Sequence, residues 1–127
     1  MRILRNKWFS RFARKENIAD ASLVEAIWRA ERGQIDADLG SGLIKLRLAR
    51  SGEGRSGGYR TIVAYRSAEK AFFLYGFAKN EQGNISTADL LLLRKAAKNY
   101  LQVNETGLRS LTQDGELQEV AVNDQGL

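Results

Sequence analysis

A chain of 127 residues, 43% hydrophobic and 28% charged, is sized for one globular domain around a modest core and is too apolar for global disorder. No apolar run approaches the roughly 18 residues of a membrane helix. The N-terminus MRILRNKWF is charged from its second residue, and cysteine is absent, so the reading is a cytoplasmic protein with no membrane partner, no disulfides and no thiolate nucleophile. Histidine is also absent. That removes the commonest general base and metal ligand, and leaves Lys, Tyr, Asp, Glu or an arginine clamp for any chemistry.

The net charge of +5 is unevenly spread. Residues 1–101 hold 19 basic and 10 acidic residues, and residues 102–127 hold one basic and five acidic. The body is a candidate polyanion binder. The acidic tail is read as solvated, with folding back over a basic groove as the alternative.

In chain order, RILR at residues 2–5 reads as a short strand. Residues 6–17 predict an amphipathic helix, with Trp8, Phe9, Phe12 and Ala13 as its core stripe and Lys7, Arg11, Arg14 and Lys15 on its solvated face. Residues 20–32 predict a second helix, capped by a Ser22/Glu25 box or by Asp20 and stopped by Gly33. Residues 34–39 predict an edge strand. Asp36 and Asp38 share a face if extended and could in principle hold Mg²⁺, but without a third acid in register they read as structural or solvated. Residues 43–49 (LIKLRLA) alternate cleanly, with Lys45 and Arg47 on the open face.

A glycine-rich stretch, SGEGRSGG, follows, and then a strand from Tyr59 to residue 66. Gly52, Gly54 and Gly57 fit G-x-G-x-x-G, but a strand follows where a dinucleotide site needs a helix, so that reading fails. Glycine does let backbone amides approach phosphates closely. The next strand, KAFFLYGFA, is apolar on both faces and therefore central, and the last three strands are antiparallel. Residues 87–101 predict a third helix capped by Ser86, and residues 108–122 a helical turn and a short strand. The single domain spans residues 1–120, with a frayed tail over 121–127.

Six basic residues and one acid lie between residues 39 and 66. Lys45 and Arg47 project from one strand, Arg60 begins the next, and Lys79 ends the one after. A meander brings Arg60 and Lys79 towards each other and gathers these cations, with Arg50 and Arg55, on one patch.

The segments GGYRT, FFLYGFAKNE and GNIS, with KWFSRFARKE, DADLGSGLIKLRLA and GELQEV, resemble the RelE-type toxins of bacterial type II toxin–antitoxin systems, in the RelE/HigB-like branch, over roughly residues 6–120. The resemblance implies an α+β fold: a small curved antiparallel sheet with a two-helix N-terminal hairpin on one face and a C-terminal helix. It implies an endoribonuclease, an mRNA interferase acting mostly in the ribosomal A site and inhibiting translation without a cofactor or metal. Its partners would be mRNA, the ribosome and a cognate antitoxin of the helix-turn-helix DNA-binding kind. Lys45 and Arg47 match the family's paired basic strand positions, and Arg60 the arginine of its G-Y-R motif, expected on the scissile phosphate. Lys79 and Asn80 stand where other members place Lys, Arg or His. The catalytic set is then Arg60, Lys45 and Lys79, and the RNA- or phosphate-binding set Arg47, Arg50, Arg55 and Asn80. Tyr100 is a loose match to a stacking tyrosine and reads as core. Two alternatives stay open, an inactive RNA-binding relative and a gyrase poison of the ParE type.

Overall fold

The computed structural model describes residues 1–50 and 54–120, excluding the side chains of residues 54–57. The predicted frayed tail therefore lies outside the described residues. The elements are β1 (Arg2–Asn6), α1 (Lys7–Lys15), α2 (Asp20–Glu31), β2 (Ala37–Gly40), β3 (Leu43–Arg50), β4 (Gly54–Arg66), β5 (Lys70–Ala78), α3 (Thr87–Gln102), α4 (Glu105–Gln113) and β6 (Leu117–Glu119). The fold is α+β, and its sheet runs β2-β3-β4-β5-β1-β6.

Strands β3 to β5 form the expected antiparallel meander, and β2 pairs antiparallel with β3 at its edge. The sheet as a whole is mixed rather than antiparallel, because β1 pairs parallel with β5. The composition of β1 explains its interior place: Ile3 and Leu4 point to opposite faces and both are fully buried. A strand buried on both faces needs neighbours on both edges. β6 supplies the second edge by pairing antiparallel with β1.

The helical hairpin covers one face. Phe9 and Ala13 of α1 and Leu23, Ala26, Ile27 and Ala30 of α2 pack on Ile44, Leu46, Leu48, Val63 and Phe73. Asn6 caps α1 by accepting from the Phe9 amide at 2.8 Å, and its amide donates to the Leu74 carbonyl at 3.1 Å. Leu74 is the inserted residue of a bulge in β5, since Ile62 pairs with Tyr75 and Val63 with Phe73. The predicted Ser22/Glu25 box is not the cap of α2. The N-cap is Ala19, with no side-chain bond, and Asp20 instead meets Arg5 at 2.6 Å. Trp8, expected in the core stripe, sits 37% exposed on the rim and packs against Phe12 and Tyr75.

Among the described residues, α3 covers part of the opposite face. Ala97 and Leu101 of α3 pack over Leu43, Ile62, Ala64 and Phe72. Ser86 caps α3 as expected, accepting from the Asp89 amide at 3.1 Å. Tyr100 stacks on Phe72 at 5.1 Å, and burial pushes its pKa up. The expected helical turn near residue 108 is a full helix, α4, capped by Asn104.

Up to residue 120, the acidic C-terminal segment is neither solvated as a whole nor draped over the basic strands. Leu108, Leu117 and Val120 are buried. Arg2 binds Glu105 and Glu119 at 2.6 Å each, contacts that raise its pKa. The apolar residues among the acids fix the segment at the sheet edge farthest from β2.

Glu31 ties the end of α2 to the β4–β5 turn. Its carboxylate accepts from the Tyr65 hydroxyl, from Ser67 at 3.0 Å and from the Ala68 amide at 2.9 Å. Ala68 has a φ of 64°, so this amide bond holds a turn that alanine adopts reluctantly. Burial, followed by the Glu31 contact, pushes the Tyr65 pKa up to about 12. Glu31→Ala is expected to cost about 0.5–1.5 kcal/mol, the net worth of a typical hydrogen bond, because Ser67 and Ala68 are exposed and Tyr65 is part-buried, read as a lower thermal midpoint. A raised tyrosine pKa adds stability that is full below the unfolded value near 10 and is lost as pH rises towards 12. In the wild type this loss should appear between those values, and Tyr65→Phe should remove it.

Candidate nucleic-acid interface

The site begins where α3 stops covering the sheet. Along the α3 face, β3 presents Leu43, Lys45 and Arg47, paired respectively with Ala64, Ile62 and Arg60 of β4. Directly paired residues share a face, so buried aliphatics under the helix give way to cations within one step of the ladder. Arg60 is flanked on β5 by Phe77, which is itself buried.

Three of the sequence-predicted residues converge here, and they converge on Asp36. The Asp36 carboxylate lies 2.7 Å from Arg47 Nε, 3.5 Å from Arg60 Nε and 3.7 Å from Lys45 Nζ. The side chains of Asp36, Arg60 and Lys45 are 12%, 7% and 16% exposed, whereas Arg47 is 47% exposed. Burial lowers the Arg60 pKa, Asp36 opposes that shift and Arg47 adds to it. A guanidinium still holds its charge through neutral pH. Among the described side chains, three cations thus face one carboxylate at a mostly dry site.

Asp36 is held from the backbone as well, because its amide donates to the Lys45 carbonyl at 2.8 Å. The reading of Asp36 and Asp38 as a pair on one face does not survive. Asp38 caps its own turn by accepting from the Gly40 amide at 2.9 Å, while Asp36 neutralises the cations. Strand β2 starts only at Ala37, so the period-two alternation that would put both acids on one face has already ended at Asp36. The signal that could have singled out Asp36 is its place just before a strand paired with the Lys45 strand.

Arg50, Lys79 and Asn80 have other partners. Arg50 belongs to the helical-hairpin side, where it reaches Glu16 at 3.8 Å and lies 5.4 Å over the Tyr59 ring. The Tyr59 hydroxyl donates to the same Glu16 at 2.9 Å. Arg50 also reaches around the sheet end to Asn80 Oδ1 at 3.4 Å. Lys79 lies one step past β5, its amide bonded to the Gly58 carbonyl at 2.9 Å. Its exposed ammonium donates to the Gly83 carbonyl at 3.0 Å. The Arg55 side chain lies outside the described residues. β4 begins at Gly54, so much of the expected glycine loop is extended strand.

Two features beside the cluster were not anticipated. Trp8, Tyr75 and Phe77 form an aromatic run from the rim to the strand position beside Arg60, with centroids 4.5 Å and 6.3 Å apart. A groove of about 420 Å³ opens next to Asp36 and Arg47, lined also by Arg29, Gln34 and Ile35. Arg29 is buried there and donates to the Arg47 carbonyl at 2.7 Å. A dry cationic centre with an aromatic run and a polar groove beside it suits a phosphodiester flanked by bases.

Among the described residues, no helix is long and apolar enough to cross a membrane. No curated protein matches the chain. Residues 1–120 match the family model described as the RelE toxin of the RelE/RelB toxin–antitoxin system. With all ten elements and the whole cation cluster inside that match, the chain belongs to the RelE toxin family.

Proposed function

We propose that this toxin is an mRNA interferase, an endoribonuclease that cuts mRNA on the ribosome and so stops translation. The observation that carries this reading is the gathering of Lys45, Arg47 and Arg60 on one sheet face, beyond the residues that α3 packs on. The ribose 2′-OH attacks the adjacent phosphorus and the bond to the 5′-oxygen breaks. The products are a 2′,3′-cyclic phosphate and a 5′-hydroxyl.

Negative charge grows on the non-bridging oxygens as the phosphorane forms. A buried guanidinium stabilises that charge without reorganising, which is the role of Arg60. Arg47, the most exposed member of the cluster, meets the incoming phosphate chain. Two protons must move, one off the 2′-OH and one onto the 5′-oxygen. Arginine cannot exchange protons at neutral pH, so the lysines carry them: Lys45 inside the cluster and Lys79 at the strand end. Arg50, held on the helical-hairpin side by Glu16 and Tyr59, meets Asn80 at the sheet end, and the two serve as an outlying phosphate contact, with Arg55 on the adjoining strand.

The partner is an antitoxin, of the helix-turn-helix DNA-binding kind, that masks the cationic surface with acidic or apolar groups. The reading is tested by inducing the chain in growing bacteria. It requires growth arrest with transcripts truncated inside coding sequence, relieved by co-expressed antitoxin. Arrest with intact transcripts and broken DNA would favour a gyrase poison, and salt-dependent RNA binding with intact transcripts would favour a non-catalytic relative.

A further inference from the structure

We propose that Asp36 is a positioning residue that acts as a built-in counterion: it holds the three phosphate-facing cations in their working arrangement and weakens RNA binding in favour of turnover. This rests on the nuclease reading. Among the described residues, the Asp36 carboxylate lies against Lys45, Arg47 and Arg60 together, at 3.7, 2.7 and 3.5 Å. It engages both arginines through Nε, the inner edge of the guanidinium. The bond to Arg47 Nε at 2.7 Å fixes that side chain at the root of its planar fork, and the ion pair at 3.5 Å draws Arg60 to the same carboxylate. The carboxylate is itself held by its own backbone bond to β3 and by burial, so it is part of the scaffold.

Charge supplies the second half of the argument. Three cations converging without a counterion would repel one another and bind any polyanion tightly, substrate and product alike. Affinity that is equal for ground state and transition state does not speed the chemical step. One fixed carboxylate lowers that uniform attraction and keeps the cations aligned for the charge that develops in the transition state.

The test uses the full chain and Asp36→Asn, which keeps shape and removes the charge. Two quantities are measured on the same preparations. One is affinity for a short single-stranded RNA carrying a 2′-deoxy nucleotide, across a salt series. The other is the KM and kcat of cleavage of ribosome-bound mRNA. The expected result is tighter RNA binding at low salt, with a salt slope steeper by about 0.7, the increment for one further uncompensated cation on a single strand. KM and kcat both fall, kcat by about tenfold or more. Asp36→Glu keeps the charge on a longer arm, so it keeps the wild-type salt slope and loses kcat, and it serves as the readout if the Asn variant does not fold. An Asn variant that folds and binds no more tightly than the wild type, or a Glu variant with wild-type kcat, overturns the role of Asp36. A wild type that cuts mRNA while Asp36→Asn shows neither change removes this inference alone. A wild type that neither cuts mRNA nor binds RNA removes the nuclease reading and this inference with it.

Discussion

Arg60→Ala is expected to slow mRNA cleavage by about 10²–10³-fold, the usual cost of removing one preorganised donor from a developing oxyanion. The expectation rests on where the guanidinium sits. Arg60 is 7% exposed, lies beside Asp36 and is paired across the ladder with Arg47. A cation in such a dry position interacts with a phosphorane far more strongly than one in water. The fold should tolerate the change, because Asp36 keeps Arg47 and Lys45 as partners. Arg60→Lys tests geometry against charge: an ammonium keeps the charge but cannot fork onto two phosphate oxygens, so it should recover only a small part of the rate. Single-turnover cleavage of ribosome-bound mRNA, with a thermal melt of each variant, checks both. A stable Arg60→Ala protein at wild-type rate would place the chemistry elsewhere.

Lys45→Arg is expected to be nearly as inactive as Lys45→Ala, with both about 10²–10⁴-fold down, the range attributed to positioned proton transfer. The arginine variant keeps a cation near Asp36, which lies 3.7 Å from the native ammonium. What it loses is an ammonium that can give up a proton, which a guanidinium does not do. If Lys45 served only as charge, arginine would restore most of the rate and alanine would not. The rates of the two variants side by side, on the same mRNA, separate the roles.

Much of the fold could be read from periodicity. The alternation in LIKLRLA, the doubly apolar KAFFLYGFA and the helical stripes all correspond to elements, although Trp8 leaves the α1 stripe for the rim. Periodicity could not reveal that β1 would lie parallel to β5, because RILR is too short to show which strand it joins. It also missed α4, where Gly107 obscured the helical pattern. The acidic composition of the C-terminus hid its three buried apolar anchors, Leu108, Leu117 and Val120.

The candidate site was legible to the extent that strand alternation applies. Lys45 and Arg47 were placed on one face from the alternation of β3, and hairpin pairing with β4 brings Arg60 beside them. Arg50 escaped that logic because a register shift between Leu48 and Arg50 interrupts the ladder near the strand end. Its contacts are with Glu16 and Tyr59 on the other face. Asp36 escaped because it lies in a bend, where neither strand nor helix period says where a side chain points. Only the folded chain puts its carboxylate among the three cations.

The most direct test is primer extension on mRNA from a reconstituted translation reaction, run with and without ribosomes, comparing the wild type with Arg60→Ala and analysing the new ends. The account predicts cuts that require ribosomes, leave a 2′,3′-cyclic phosphate and a 5′-hydroxyl, and disappear in the variant. Intact mRNA in the presence of folded wild-type protein, or equal cutting by the variant, would contradict it.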